Sequence, residues 1–281
     1  MLPELRVAVV SFLIGVVFMI TAANLFLRIS SFGDFLTWTA LSSVPVFLSC
    51  AIFHKSFQVA LRASGLGCAA AIGSFLWFSR LFPTFHPFGA YMCILSFFHW
   101  SEYVITAITS PRTLSIDSFL LNHSKAYWIA ASASWLEFTL EAWLIPGLKS
   151  EVISWIGVLI CTVGEILRKG AMLTARSNFT HLISTRKRND HELITHGLYS
   201  LFRHPSYVGW FWWSIGTQIA LVNPLCVVAY AVVSWRFFNE RIYDEELYLI
   251  NFFRDDYVHY QQRVPVGLPF IEGFKPEFSA P

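Results

Sequence analysis

The densest chemistry in the sequence lies in one polar stretch: His191-Glu-Leu-Ile-Thr-His-Gly-Leu-Tyr199-Ser-Leu-Phe-Arg203-His204-Pro205-Ser206-Tyr207-Val-Gly209. His191 and His196 miss the i,i+4 spacing that brings two imidazoles onto one zinc, so no metal site is read here. Gly197 permits a tight turn. Pro205 suits the first position of a helix, where its missing N–H costs nothing. The amides behind it then form a helix start able to receive a carboxylate or phosphate. A well-capped helix start without a ligand accounts for the same residues, and the residues alone leave both readings open. Further on, Arg241 and Glu245 lie i,i+4. They form either a surface ion pair worth only tenths of a kcal/mol, or part of a site if their stretch folds back on the Arg203–Tyr207 loop.

Other ionisable residues fall inside apolar runs, where they are costly and functional by default. His99 and Glu102, Glu137 and Glu141, and Glu165 and Arg168 are each three or four apart. A lone His-x-x-Glu does not make a carboxylate-bridged di-iron set, and hydrogen bonds or ion pairs that fix a bundle are the simpler account. Gly65-Leu-Gly67-Cys-Ala-Ala70 spells a dinucleotide fingerprint but opens a hydrophobic helix instead of following a strand. Gly65, Ala69 and Gly73 instead have the small-residue spacing of close helix packing in lipid. The five cysteines sit in apolar stretches with no Cys-x-x-Cys pair, so they read as small apolar residues.

The elements that must position these residues are hydrophobic. Of 281 residues, 55% are hydrophobic, 17% aromatic and only 14% charged, whereas a soluble domain carries about a quarter charged residues. That composition excludes disorder and a disulfide-stapled secreted domain and defines an all-α integral membrane protein. A net charge of +2 and the single short run Arg186-Lys187-Arg188 give no basis for a nucleic-acid partner. Runs close to the roughly 20 residues needed to span a bilayer are Val7–Leu27, Phe35–Phe53, Gly65–Phe82, Phe88–Thr109, Ala126–Ile145 and Val152–Leu173. The first is too long for the core of a cleavable signal. The last block, Tyr207–Phe238, is broken at Asn223-Pro224, a turn signal, and reads as a tight hairpin of two short helices.

Eight spans result. With the N-terminus in the cytosol, seventeen of the 20 Lys and Arg fall on the cytosolic side, leaving Arg28, Arg80 and Lys149 opposite. This matches the positive-inside rule with both termini cytosolic. The polar segments Thr174–Ser206 and Asn239–Pro281 are then both cytosolic. An amphipathic tail helix is expected over Arg241–Tyr260, lying on the membrane face. Residues 1–150 form an N-terminal membrane unit of five spans. Residues 151–281 form a C-terminal unit of three spans, the loop and the tail helix. The sequons at Asn122 and Asn178 fall on the cytosolic side and should stay bare.

Gly197-Leu-Tyr199, Arg203-His204-Pro205-Ser206-Tyr207-Val208-Gly209, Trp235-Arg-Phe-Phe238, Arg241, Glu245-Glu246 and the ending Arg263-Val-Pro-Val-Gly-Leu-Pro-Phe270 together resemble the isoprenylcysteine carboxyl methyltransferases. The resemblance is specific over about Gly164–Phe270; spans one to four share mainly hydropathy. It implies residence in the endoplasmic reticulum membrane and use of S-adenosylmethionine. It also implies a substrate class: prenylated CaaX proteins, such as small GTPases, whose last residues have been removed. The prenyl chain would then enter sideways from the lipid. Carried over, the cofactor contacts fall on His191, Glu192, Leu193, Ile194, Tyr199, His204, Pro205, Ser206, Tyr207 and Glu245. Arg241 takes the catalytic, substrate-carboxylate role. Relatives often have glutamine where this chain has the shorter Ser184. Two other classes are compatible with the hydropathy: a membrane sterol reductase using NADPH, and a non-enzymatic channel or lipid-handling protein with no cofactor pocket.

Overall fold

The computed structural model describes residues 3–24, 29–121 and 125–275, and among these it contains α and 3-10 helices but no strand. The helices are α1 (Pro3–Ala22), α2 (Phe32–Ala40), α3 (Ser43–Ile52), α4 (Phe57–Phe78), α5 (His86–Thr109), α6 (Lys125–Leu144), α7 (Glu151–Ala175), α8 (Pro205–Leu221), α9 (Pro224–Phe253) and α10 (Asp255–Arg263). Arg28 and the Asn122 sequon lie outside the described residues. Pro3–Ala22, Phe32–Ile52 and His54–Phe78 are long and apolar enough to cross a membrane by length and composition alone. Trp143, Val152, Leu159 and Leu225 face outward with 63–78% of their surface exposed. Water would make such positions unfavourable, whereas lipid chains do not.

Three expectations are corrected. The second span is not one helix: Pro45 lacks an amide hydrogen and its ring would clash with the carbonyl of Leu41, so the chain turns at Leu41-Ser42 between α2 and α3. The third begins at Phe57 rather than Gly65, because Gln58 and Arg62 hide its first turns from a hydropathy count. The hairpin at Asn223-Pro224 is present, but its second arm is not short. α9 runs unbroken for 30 residues, about 45 Å at 1.5 Å per residue. Arg241 and Glu245 therefore ride on the continuation of the last apolar helix and not on a separate tail helix. The chain breaks only at Arg254, where φ is +52°, and α10 follows.

The packing stripe on α4 also differs from the spacing read in the sequence. No atom lies near the position of a Cβ on Gly65, whereas one on Gly67 would meet the Phe12 backbone and one on Gly73 that of Gly89. α7 and α8 meet in the same way: a Cβ on Gly164 would lie 2.6 Å from the Gly209 carbonyl oxygen. That close approach seats α8, and hence the His204-Pro205 start, against the end of α7.

The acids in the apolar runs settle the frame. Glu137 accepts from the amides of Leu225 and Cys226 at 2.7 and 2.8 Å, capping α9. Lys149 Nζ reaches Glu141 at 2.7 Å and the carbonyls of Leu221 and Val222 at 3.1 and 3.0 Å. It thus holds the turn in which Val222, a β-branched residue, adopts φ +56°. His99 does not act with Glu102; it bonds the Phe119 carbonyl and the Tyr127 hydroxyl.

Candidate active site

The α7–α8 loop, the start of α8, the far end of α9 and α10 line an open cleft. Of the residues singled out in the sequence, His191, Glu192, Leu193, Ile194, Tyr199, His204, Ser206, Tyr207 and Glu245 line it, as does Ser184. Pro205 and Arg241 do not. Pro205 is buried as the first residue of α8, and Arg241 reaches the wall only through Tyr207.

The Tyr207 hydroxyl ties the site together. It donates a short hydrogen bond to Glu245 and accepts one from Arg241 Nε at 2.8 Å. Arg241 Nη2 donates to the His181 carbonyl at 2.6 Å. Arg241 and Glu245 thus share a tyrosine instead of pairing across an exposed helix face, and the stretch does fold back on the Arg203–Tyr207 loop. The helix start is narrower than the sequence suggested. The amides of Tyr207 and Val208 both return to the His204 carbonyl at 3.0 Å, which leaves the Ser206 amide of the first turn for a ligand.

Behind the wall lies a buried carboxylate that is part of the family resemblance but is given no role by it. Glu246 is fully buried. It receives Arg203 Nε at 2.7 Å, and His204 Nε2 and the Tyr257 hydroxyl at 3.1 Å each. Burial opposes its charge, but the bonds and charges of His204 and Arg203 win and hold its carboxyl below the ordinary value. Arg203 also gathers the Val264 and Glu272 carbonyls at 2.6 and 2.9 Å, strapping the C-terminal segment behind α8. His204 then stacks flat on Tyr207, with ring planes 1° apart.

The other walls come from residues that sequence reasoning passed over: Asn178, Phe179, Tyr248, Phe252, Phe253, Tyr257 and Tyr260. Their signal was present as aromatic density between Tyr248 and Tyr260, which the amphipathic reading absorbed. Asn178 Oδ1 accepts the Glu192 amide at 2.9 Å, so the sequon asparagine braces the cleft. Lys187 Nζ donates to the Phe252 carbonyl at 2.7 Å and lies 4.5 Å from the Phe253 ring centre, pinning the loop to the end of α9. His191 sits edge-on to both phenylalanines. Burial, aided by Arg188 and Lys187, pushes its imidazole below the usual value. Burial, reinforced by the Glu245 charge, pushes the Tyr199 phenol up.

The described residues form an all-helical, membrane-type bundle whose cleft is lined by polar and aromatic side chains. The model of the isoprenylcysteine carboxyl methyltransferase (ICMT) family matches residues 155–251. A Xenopus laevis protein-S-isoprenylcysteine O-methyltransferase is 50% identical over 99% of this chain and 98% of its own length. The Homo sapiens protein of the same name is 53% identical over 78% of this chain and 77% of its own. The solved structure of a eukaryotic intramembrane Ras methyltransferase, ICMT, superposes with a TM-score of 0.92 at 44% identity, covering 97% of this chain and 99% of that one. The chain belongs to the isoprenylcysteine carboxyl methyltransferase family. It is a membrane methyltransferase, and neither the reductase nor the non-enzymatic reading is favoured.

Proposed function

We propose that this enzyme esterifies the free C-terminal carboxylate of a prenylated cysteine, left after CaaX proteolysis on small GTPases and similar proteins. The methyl donor is S-adenosylmethionine, which supplies an electrophilic methyl on a sulfonium when bound. The active site faces the cytosol from an eight-span protein of the endoplasmic reticulum membrane, with both termini cytosolic. That topology is supported by loop contacts: Ser110 bonds the Arg176 carbonyl at 3.0 Å, joining two loops assigned to the cytosol. His86 and Glu151, both assigned to the opposite side, meet at 2.6 Å.

The cleft suits the donor. His191 Nδ1 is buried in the cleft wall with no hydrogen-bond partner among the described residues, an arrangement that calls for a polar ligand. Glu245 is placed to take a cation or a ribose hydroxyl. The Ser206 amide suits a carboxylate, and the aromatic walls suit a purine ring. Pro205, buried as the first residue of α8, sets where the Ser206 amide stands.

The acceptor needs no general base. An α-carboxyl has a pKa of about 3.5 and is already ionised at neutral pH. What the chain supplies is positioning. Tyr207 and the His181 carbonyl engage Arg241 Nε and Nη2, and the N–H groups left over can grip the carboxylate as a fork. A water-poor setting then favours attack of an anion on a sulfonium, because the two charges cancel as the bond forms. The observation that carries this reading is the Tyr207 hydroxyl, shared between Glu245 on the cleft wall and Arg241 beside it. The test is methyl transfer from labelled S-adenosylmethionine to a prenylcysteine analogue, with calorimetric titration of S-adenosylhomocysteine and of NADPH. Binding of NADPH but not S-adenosylhomocysteine would refute it.

A further inference from the structure

Glu102 lies on α5, in the half of the chain where the family resemblance placed no site residue, and it is fully buried. Its two oxygens receive Arg168 through Nε and Nη2, the latter at 2.9 Å, together with Lys169 Nζ and His181 Nε2 at 2.9 Å. Packing α5 on α7 does not require so many donors, and a buried ionic group of this kind is costly to build. Two of the partners lead onward to the site. Arg168 Nη1 donates to Ser206 Oγ at 3.0 Å on the cleft wall, and its guanidinium lies 4.5 Å from the Trp210 ring centre. The carbonyl of His181 is the acceptor for Arg241 Nη2. One carboxylate from the N-terminal half therefore fixes both the first turn of α8 and the backbone that orients Arg241.

We infer that Glu102 is a positioning residue for the acceptor end of the site: it anchors the His181 segment so that Arg241 meets the acceptor carboxylate in register. Glu102 touches neither reactant. The inference rests on the reading of Arg241 given above.

Glu102→Gln keeps the volume and one acceptor oxygen but removes the charge that gathers the donors. His181→Phe cuts only the loop arm, on a side chain that is partly exposed. A misplacement of about 1 Å at a reacting group costs up to roughly a hundredfold in rate. Glu102→Gln should therefore raise KM for a prenylcysteine analogue by about tenfold or more, and His181→Phe by less. The Kd for S-adenosylhomocysteine should stay within about threefold in His181→Phe, which leaves the Arg168–Ser206 arm intact. A purely structural role would instead lower kcat and the number of binding-competent molecules together, leaving KM unchanged, and that result overturns the proposal. If Glu102→Gln does not fold, His181→Phe decides alone. Loss of turnover in Arg241→Ala combined with normal KM in both other variants refutes the role of Glu102 only. Normal turnover in Arg241→Ala refutes the reading on which it rests.

Discussion

Replacing Arg241 discriminates most sharply between a structural and a chemical role for the long α9 extension. In the folded protein Arg241 spends two N–H groups, one on the Tyr207 hydroxyl at 2.8 Å and one on the His181 carbonyl at 2.6 Å. Its guanidinium also lies 5.6 Å from the Tyr207 ring centre. Arg241→Ala thus removes two charge-assisted hydrogen bonds from the resting protein. Each contributes about 1.5–3 kcal/mol when well formed, so a lowered melting temperature is expected and does not by itself settle the role. The remaining N–H groups decide it. If they hold the acceptor carboxylate, a bidentate contact is lost at the same time. At 1.36 kcal/mol per factor of ten, kcat/KM then falls by roughly a hundredfold or more. Arg241→Lys should recover only part of this, because a point ammonium cannot both serve Tyr207 and present a fork. S-adenosylhomocysteine should still bind, since Arg241 does not line the cleft, whereas Glu245→Ala should weaken it. The assay is steady-state methylation of a prenylcysteine analogue in lipid, paired with calorimetry on each variant at a temperature where all remain folded. A variant that is less stable yet methylates at near-normal kcat/KM would remove Arg241 from the chemistry and leave it as a brace for Tyr207.

His191→Ala, which takes away the unpartnered Nδ1, should weaken S-adenosylhomocysteine binding by about tenfold, the worth of one buried hydrogen bond; unchanged affinity would place the donor elsewhere. Glu246 has a carboxyl held below its usual 4.5, so the unfolded chain takes up the proton first as pH falls. Its contribution is complete above about pH 4.5 and is lost as pH drops through the lower folded value. Glu246→Gln should therefore lower stability at neutral pH and flatten the acid limb of a stability–pH profile; an unchanged acid limb would refute this. Lys149→Met leaves the Leu221 and Val222 carbonyls and Asn223 Oδ1 of the hairpin turn without this donor, and Glu141 without its cation. It should cost about 3–5 kcal/mol in thermal or denaturant unfolding while a folded fraction keeps its KM; a normal melting temperature would contradict the clamp. On the proposed topology Asn178, which braces Glu192, faces the cytosol and should carry no glycan in cells; a mass shift on endoglycosidase treatment traced to Asn178 would overturn that topology.

Composition alone determined that this chain lives in lipid, because 55% hydrophobic residues exceed what a soluble globule of this size can bury. The hairpin at Asn223-Pro224 and the helix start at Pro205 were equally legible, since proline acts on its own neighbours and needs no distant partner. The family resemblance marked out one wall of the cleft, from His191 to Tyr207, whose residues are nearly continuous in sequence; spacing alone left a bare helix start equally open. What spacing could not reveal was which charge meets which. Arg241 and Glu245 stand one turn apart and look like a pair, yet both turn to Tyr207, 34 and 38 residues away. Glu102 and Arg168 are separated by 66 residues, and Glu246 gathers donors from the loop before α8 and from α10. In a medium without water, a buried ionisable group must find its partner inside the protein. That partner is chosen by which helices pack together, through contacts such as Gly164 on Gly209. Residue types along the chain thus determined what chemistry is possible, and the packing of α5, α7, α8 and α9 decided which side chains share it.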